Sequence, residues 1–196
     1  MAHKPVRVVL LAALMLLALG GCSSHLSLTY PSPITPATPA AQGESLALVR
    51  FADARKHKAT IFSERTSLQF GTPGLKDPGA AGDWVAQAIA DELNHAGAKA
   101  TVVANSSQTE DPTVVTGKLT RLMVYGYGAA FFMRATVKFN LTVTKGGVVV
   151  LNKAYSGEAS RPYFGPDLVS HADEALAAAM QNAAEPAAKD IIKVIR

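Results

Sequence analysis

One cysteine, Cys22, occurs in 196 residues, a count that excludes an intramolecular disulfide, a CxxC redox pair and any Cys/His zinc array. Charge is scarce too: 17% of residues are Asp, Glu, Lys or Arg, against 48% apolar, so the chain as a whole is not disordered. The formal charge of +4 includes Lys4 and Arg7 at the extreme N-terminus. Without these two it is +2 (19 − 2 basic against 15 acidic residues). That excess is scattered and not interleaved with aromatics, so a nucleic-acid partner is not expected. Catalytic signatures are missing as well. No serine sits in a G-x-S-x-G elbow. Gly117-Lys118 fails as a P-loop because Pro112 stands where the first glycine belongs and Leu119 replaces the hydroxyl. The five histidines form no HExxH or other ligand spacing. Neither an enzyme nor a metal or dissociable cofactor is expected.

What the chain does have begins at its N-terminus. His3, Lys4 and Arg7 precede twelve unbroken apolar residues, Val8 to Leu19. This is the layout of a signal peptide, too short for the roughly 20 apolar residues of a membrane span. Leu19-Gly20-Gly21-Cys22 then matches the bacterial lipobox. Leu19, Gly20 and Gly21 would present the cleavage site to the signal peptidase. Cys22 would take a diacylglycerol through its sulfur and an acyl chain on its new N-terminus. Because each buried CH2 contributes about 0.8 kcal/mol, two or three acyl chains hold a protein on a bilayer where one is marginal. Ser23 and Ser24 follow, with no Asp after the cysteine. By the sorting pattern of Gram-negative lipoproteins, this implies anchoring in the outer membrane with the domain facing the periplasm.

Three segments result: residues 1–21 as signal peptide, 22–44 as lipidated N-terminus and linker, and 45–196 as a periplasmic domain. The linker holds Pro31, Pro33, Pro36 and Pro39 among Ser, Thr and Ala. In extended form, at ~3.1 Å per residue, it would reach roughly 60 to 70 Å from the lipid.

Within the domain, Ser45–Phe51 reads as a buried strand, and Phe62, Leu68 and Phe70 suggest a weaker one before a Gly/Pro-rich loop at 71–82. Asp83 is placed to cap a helix whose core stripe is Val85, Ile89 and Leu93 and whose stop is Gly97. A short strand is expected at 101–104 and a long one from Thr113 to Tyr125. In the next, Ala135, Val137, Phe139, Leu141 and Val143 alternate with polar residues, as in a half-buried antiparallel strand. Gly146-Gly147 would turn the chain into a hairpin partner. A C-terminal helix from 167 or 170 to Ile195 is expected to be capped by Ser170 and kinked or restarted at Pro186. The fold class is α+β: a mainly antiparallel sheet covered on one face by two helices.

Together the lipobox, the Pro-rich tether, a strand ending in Asp53-x-Arg55, the helix ending Leu93-Asn94-His95-Ala96-Gly97, a three-stranded meander and an Ala-rich C-terminal helix resemble the YajG-like family of bacterial lipoproteins. The resemblance implies fold and location without a reaction or catalytic residues. The function expected is a non-enzymatic, lipid-anchored module that binds or assembles with another envelope protein, membrane contact being made through the anchor. The alternative is a lipid-handling accessory of an envelope transport system. It requires an apolar groove between sheet and helices, and full cover over Val137, Phe139 and Leu141 would count against it. Candidate partner contacts are Tyr125, Tyr127, Phe131 and Phe132, with Tyr163 and Phe164 in a second aromatic loop. The competing assignment for these rings is the core. Asp53 and Arg55 form a candidate structural ion pair of the surface kind, contributing ~0 to 1 kcal/mol. Asp91 with His95, and Asp167 with His171, have the i, i+4 spacing of helix surface pairs.

Overall fold

A computed structural model describes residues 25–26, 28–31, 43–56, 74–75, 80–127, 132–162 and 168–196. In chain order the elements are β1 (His25–Leu26), β2 (Ser45–Val49), β3 (Ala52–Asp53), β4 (Gly74–Leu75), α1 (Ala80–His95), β5 (Lys99–Val103), a 3-10 turn at Ser106–Gln108, β6 (Thr113–Tyr127), β7 (Phe132–Lys145), β8 (Val148–Pro162) and α2 (Leu168–Ile195). The strand suggested by Phe62, Leu68 and Phe70 lies outside the described residues.

The main sheet has the order β5-β2-β6-β7-β8, with β3 continuing the line of β2 along β6. The long half, β6 to β8, is an antiparallel meander. The short half is parallel: β2 pairs with both β5 and β6 in parallel. Its cause is α1, which carries the chain over the sheet so that β5 returns beside β2 in the same direction. The nine residues from Ala104 to Pro112 then lead back to the start of β2, where Ser45 Oγ donates to Asp111 Oδ1 at 2.6 Å. The architecture is α+β, a mixed, mostly antiparallel sheet with two helices.

Hydrophobic periodicity builds the core. Met133, Ala135, Val137, Phe139, Leu141 and Val143 of β7 are each at most 1% exposed. On α1, Val85, Ile89 and Leu93 face the same layer, and α2 adds Leu176, Met180, Ala183, Ala187 and Ile191. Phe139 lies at the centre, edge-on to Phe51 and stacked with Tyr155, both at 5.7 Å between ring centroids.

Helix ends follow local chemistry. At the end of α1, Gly97 takes φ +90°. Its N–H donates to the Asn94 carbonyl while Ala98 N–H donates to that of Leu93, the paired bonds of a Schellman motif. Asn94 itself reaches across to β5, giving and taking one bond each with the Ala100 backbone, at 3.0 and 2.8 Å. This satisfies part of β5, which is the edge strand among the described residues.

Several expectations need correction. The first helix starts at Ala80, three residues before Asp83, so Asp83 sits in the first turn and pairs with Arg50 instead of acting as the cap. Likewise α2 begins at Leu168, placing Ser170 inside the first turn. Pro186 neither ends nor restarts α2, which runs unbroken to Ile195. Ala183, Ala184, Ala187 and Ala188, on both sides of it, are at most 4% exposed, and their packing offsets the roughly 3 kcal/mol cost of an interior proline. In β6 a bulge between Leu119 and Arg121 shifts the register against β7. Hence Val115 and Leu119 face the core before it, and Leu122 and Val124 after it. The extra residue, Thr120, moves the apolar set by one position. The hairpin turn at Gly146-Gly147 agrees with expectation: both residues have positive φ, +57° and +81°, as a two-residue type I′ loop requires.

Candidate functional site

Both helices pack on one face of the sheet, so the strands β6 to β8 present their opposite face on the other side. The alternation of β7 sends Phe132, Arg134, Thr136, Lys138 and Asn140 to that side, Thr136 covered there at 3% exposure, while its odd-numbered neighbours enter the core. Register places Tyr125 opposite Arg134, and Arg121 opposite Lys138. Thr136, between them, lies opposite Glu158 of β8. Arg134 donates to Glu158 across the two strands. That bond, and then the charges of Arg134, Lys138 and Arg121, hold the Glu158 carboxyl below the ordinary glutamate range. The result is a basic-aromatic field with Glu158 neutralising part of it. Phe132 is 38% exposed and Tyr125 is half-buried.

Of the residues singled out in the sequence, Tyr125 and Phe132 therefore stand on this face. Met133, although in the same aromatic segment, is a core residue at 1% exposure. Tyr127 is the register partner of Phe132 at the end of β6. Phe131, Tyr163, Phe164, Cys22 and the lipobox residues Leu19, Gly20 and Gly21 lie outside the described residues. The cations Arg121, Arg134 and Lys138 were not singled out, yet the alternation of β7 already aligns Arg134 with Lys138. Arg121 required knowledge of the bulge.

Asp53 and Arg55 meet at the end of β3. Arg55 Nε donates to Asp53 Oδ1 at 2.9 Å and Nη2 to Oδ2 at 2.8 Å, while the Arg55 amide donates to Oδ1 at 3.1 Å. The side chains are only 4% and 9% exposed. This corrects the expectation of a surface pair: the Ala54 amide donates to the Leu119 carbonyl of β6, drawing both charges against the sheet. Of the helical pairs, Asp91 accepts from Gln87 Nε2 at 2.8 Å. His171 Nδ1 lies 3.8 Å from Glu174, and Asp167 is outside the described residues.

A third polar constellation ties α2 to β8. Asp190 Oδ2 accepts from Lys153 Nζ at 2.6 Å and from Tyr155 Oη at 2.8 Å. The Lys153 bond foremost, then the tyrosine hydroxyl, hold the Asp190 carboxyl below the usual carboxylate range. Burial, with the bond to Asp190, pushes the Tyr155 phenol up. A depressed carboxyl contributes stability above its unfolded pKa of about 4 and loses it as pH falls through its folded value. Asp190→Asn is therefore expected to flatten the decline of Tm between pH 5 and pH 3. An unchanged slope in thermal melts would assign the acid sensitivity to other carboxylates.

Among the described residues no group of three or more His, Cys, Asp or Glu side chains is placed to hold a metal ion, and no helix is long and apolar enough to cross a membrane. The sheet-helix seam is closed, with Val137 and Phe139 at 0% and Leu141 at 1% exposure.

The sequence matches no family model and no curated protein. Its fold is shared with a solved structure, and two further ones resemble it less well. Protein XCC0632 of Xanthomonas campestris, assigned to the family DUF330, superposes with a TM-score of 0.53 at 16% identity, over 85% of this chain and 92% of that one. Lipoprotein GNA1162 of Neisseria meningitidis covers 65% of this chain and 91% of its own at 11% identity, with a TM-score of 0.39. A minor lipoprotein of Acinetobacter baumannii covers 78% and 90% at 8% identity and a TM-score of 0.37. The class defined by fold is thus the α+β domain of XCC0632.

Proposed function

We propose that this chain is a lipid-anchored envelope lipoprotein with the YajG-like layout, acylated at Cys22 and held on the periplasmic side of the outer membrane. Its domain binds another envelope protein and catalyses no reaction. The observation that carries this reading is the face of β6 to β8 opposite the helices, where Tyr125 and Phe132 stand beside Arg121, Arg134 and Lys138. Aromatic and arginine side chains on one face suit a partner surface that is acidic with apolar gaps, since such residues supply most of the binding energy in protein interfaces. The closed seam over Val137, Phe139 and Leu141 weighs against the alternative of lipid carried between sheet and helices.

The test is in-cell crosslinking of the tagged, full-length protein, with a photoreactive group at Asn140, which is exposed on this face, or at Thr142, and mass spectrometry of the captured species. One dominant envelope protein is expected, and Arg134→Glu combined with Lys138→Glu is expected to reduce its capture at least tenfold. Because Arg134→Glu also breaks the ion pair with Glu158 and sets like charges across the strands, a thermal melt showing the double variant folded at the growth temperature is the control that makes loss of capture a reading of binding. Capture unaffected by the reversal would overturn this face as the contact. Co-purifying phospholipid without a protein partner would restore the lipid-handling alternative.

A further inference from the structure

Part of the segment expected to be linker is seated on the domain. Leu26 is 5% exposed, and Leu28 and Tyr30 pack against the core cluster. β1 pairs in parallel with β4 and touches α2. Tyr30 Oη donates to Glu92 Oε1 of α1 at 2.5 Å, and Glu92 is 7% exposed. Burial first, then this bond and the charges of Glu92, Asp91 and Glu185, push the phenol far above its ordinary pKa. Asp91 and Glu92 belong to α1 and Glu185 to α2, so the ring stands between the helices. Clefts of about 620 Å³ and 590 Å³ open on either side of it, the first walled by Leu28, Trp84 and Val102, the second by Pro31, Val169 and Asp173. Leu26 and residues 28 to 31 thus lie as a strap against both helices, on the helix side of the domain and beside the end of β5.

The strap bears directly on where the anchor can be. Only Ser23 and Ser24 separate Cys22 from His25, and a fully extended chain spans at most about 3.3–3.6 Å per residue step, roughly 11 Å over the three steps here. We propose that the docked strap holds the helix layer against the bilayer and turns the opposite face of β6 to β8 away from it, toward the periplasm. The 60 to 70 Å of linker reach is then not used as a spacer. Residues 32 to 44 instead connect the strap back to β2. This inference rests on acylation of Cys22.

Because Cys22 is the only native cysteine and its sulfur would be acylated, a second cysteine would be the sole free thiol for labelling. Lys189→Cys on α2 and Asn140→Cys on the face opposite the helices, each carrying a donor dye, would be placed in phosphatidylethanolamine/phosphatidylglycerol vesicles with a headgroup acceptor. Energy transfer from position 189 is expected to exceed that from 140 at least twofold. Replacing Leu26, Leu28 and Tyr30 together by serine is expected to bring the ratio toward one while circular dichroism shows the domain folded. Equal transfer from both positions in acylated, vesicle-bound protein with the native strap would overturn the orientation and leave the anchor standing. Protein without acyl mass that leaves the membrane fraction would overturn the anchor, and the orientation with it.

Discussion

Gly157→Val is expected to lower the stability of the domain by about 3 kcal/mol, at the top of the range for overpacked cores. Gly157 lies on β8 where α2 crosses it. A Cβ there would sit 1.9 Å from the Ala179 carbonyl oxygen, 2.7 Å from the Ala183 amide nitrogen and 3.0 Å from the Ala183 Cβ. The first two obstacles are backbone, so no rotamer relieves them and the helix must lift from the sheet. Lifting α2 would loosen Leu176, Met180 and Ala183 from the β7 and β8 faces, all now at most 1% exposed. At about 2–4 °C per kcal/mol for a domain near 150 residues, Tm should fall roughly 6–12 °C. Ala154→Val, on the same strand but exposed, is the control. Valine favours strands, so this change should remain within about 0.5 kcal/mol. Equal behaviour of the two variants in thermal melts would show that the close approach of helix to strand does not limit stability.

The same crossing explains why some of the fold could be read from the sequence and some could not. β7 was legible because each of its core residues is followed by a polar one, and a period of two has a single structural meaning over eleven residues. Gly146-Gly147 and Gly97 were legible because their positive φ is a local demand that glycine meets. The bulge at Thr120 was not. Val114, Val115, Leu122 and Val124 offer two competing alternations, and only pairing with β7 selects where the phase changes. The parallel arrangement of β2, β5 and β6 was hidden for a related reason: short apolar strands carry no mark of direction. Pro186 misled because local propensity predicts a break that alanine packing on both sides overrides. On the candidate surface, the aromatic segment was visible as composition, but the inward turn of Met133 and the alignment of Arg121 with Lys138 are matters of register. The strap did leave a trace. Leu26, Leu28 and Tyr30 alternate with polar residues inside an otherwise polar, proline-rich stretch, a period of two that marks a seated segment.

Burial is also what separates the Asp53–Arg55 pair from the surface pair its spacing suggested. Arg55→Ala is expected to destabilise the domain by about 3–5 kcal/mol, because it leaves the Asp53 carboxylate at 9% side-chain exposure without the guanidinium that now bonds both its oxygens. An exposed pair such as Lys189–Glu185, at 69% and 38% exposure, should lose less than about 0.5 kcal/mol by the same treatment. The two substitutions therefore differ in mechanism as well as in size. Removing one partner of the buried pair strands a charge. Replacing both partners, as in Asp53→Leu with Arg55→Met, removes the desolvation penalty together with the attraction, and should recover most of the loss. Urea denaturation of the single and double variants gives the coupling directly. If the double variant were as unstable as the sum of the singles, the pair would not act as a unit, and the bonds from Arg55 would matter only for the local turn at the end of β3. If recovery is seen, the pair contributes little net energy. Its role is then to fix the exit of β3 beside Leu119, which sets where the chain leaves the sheet before α1.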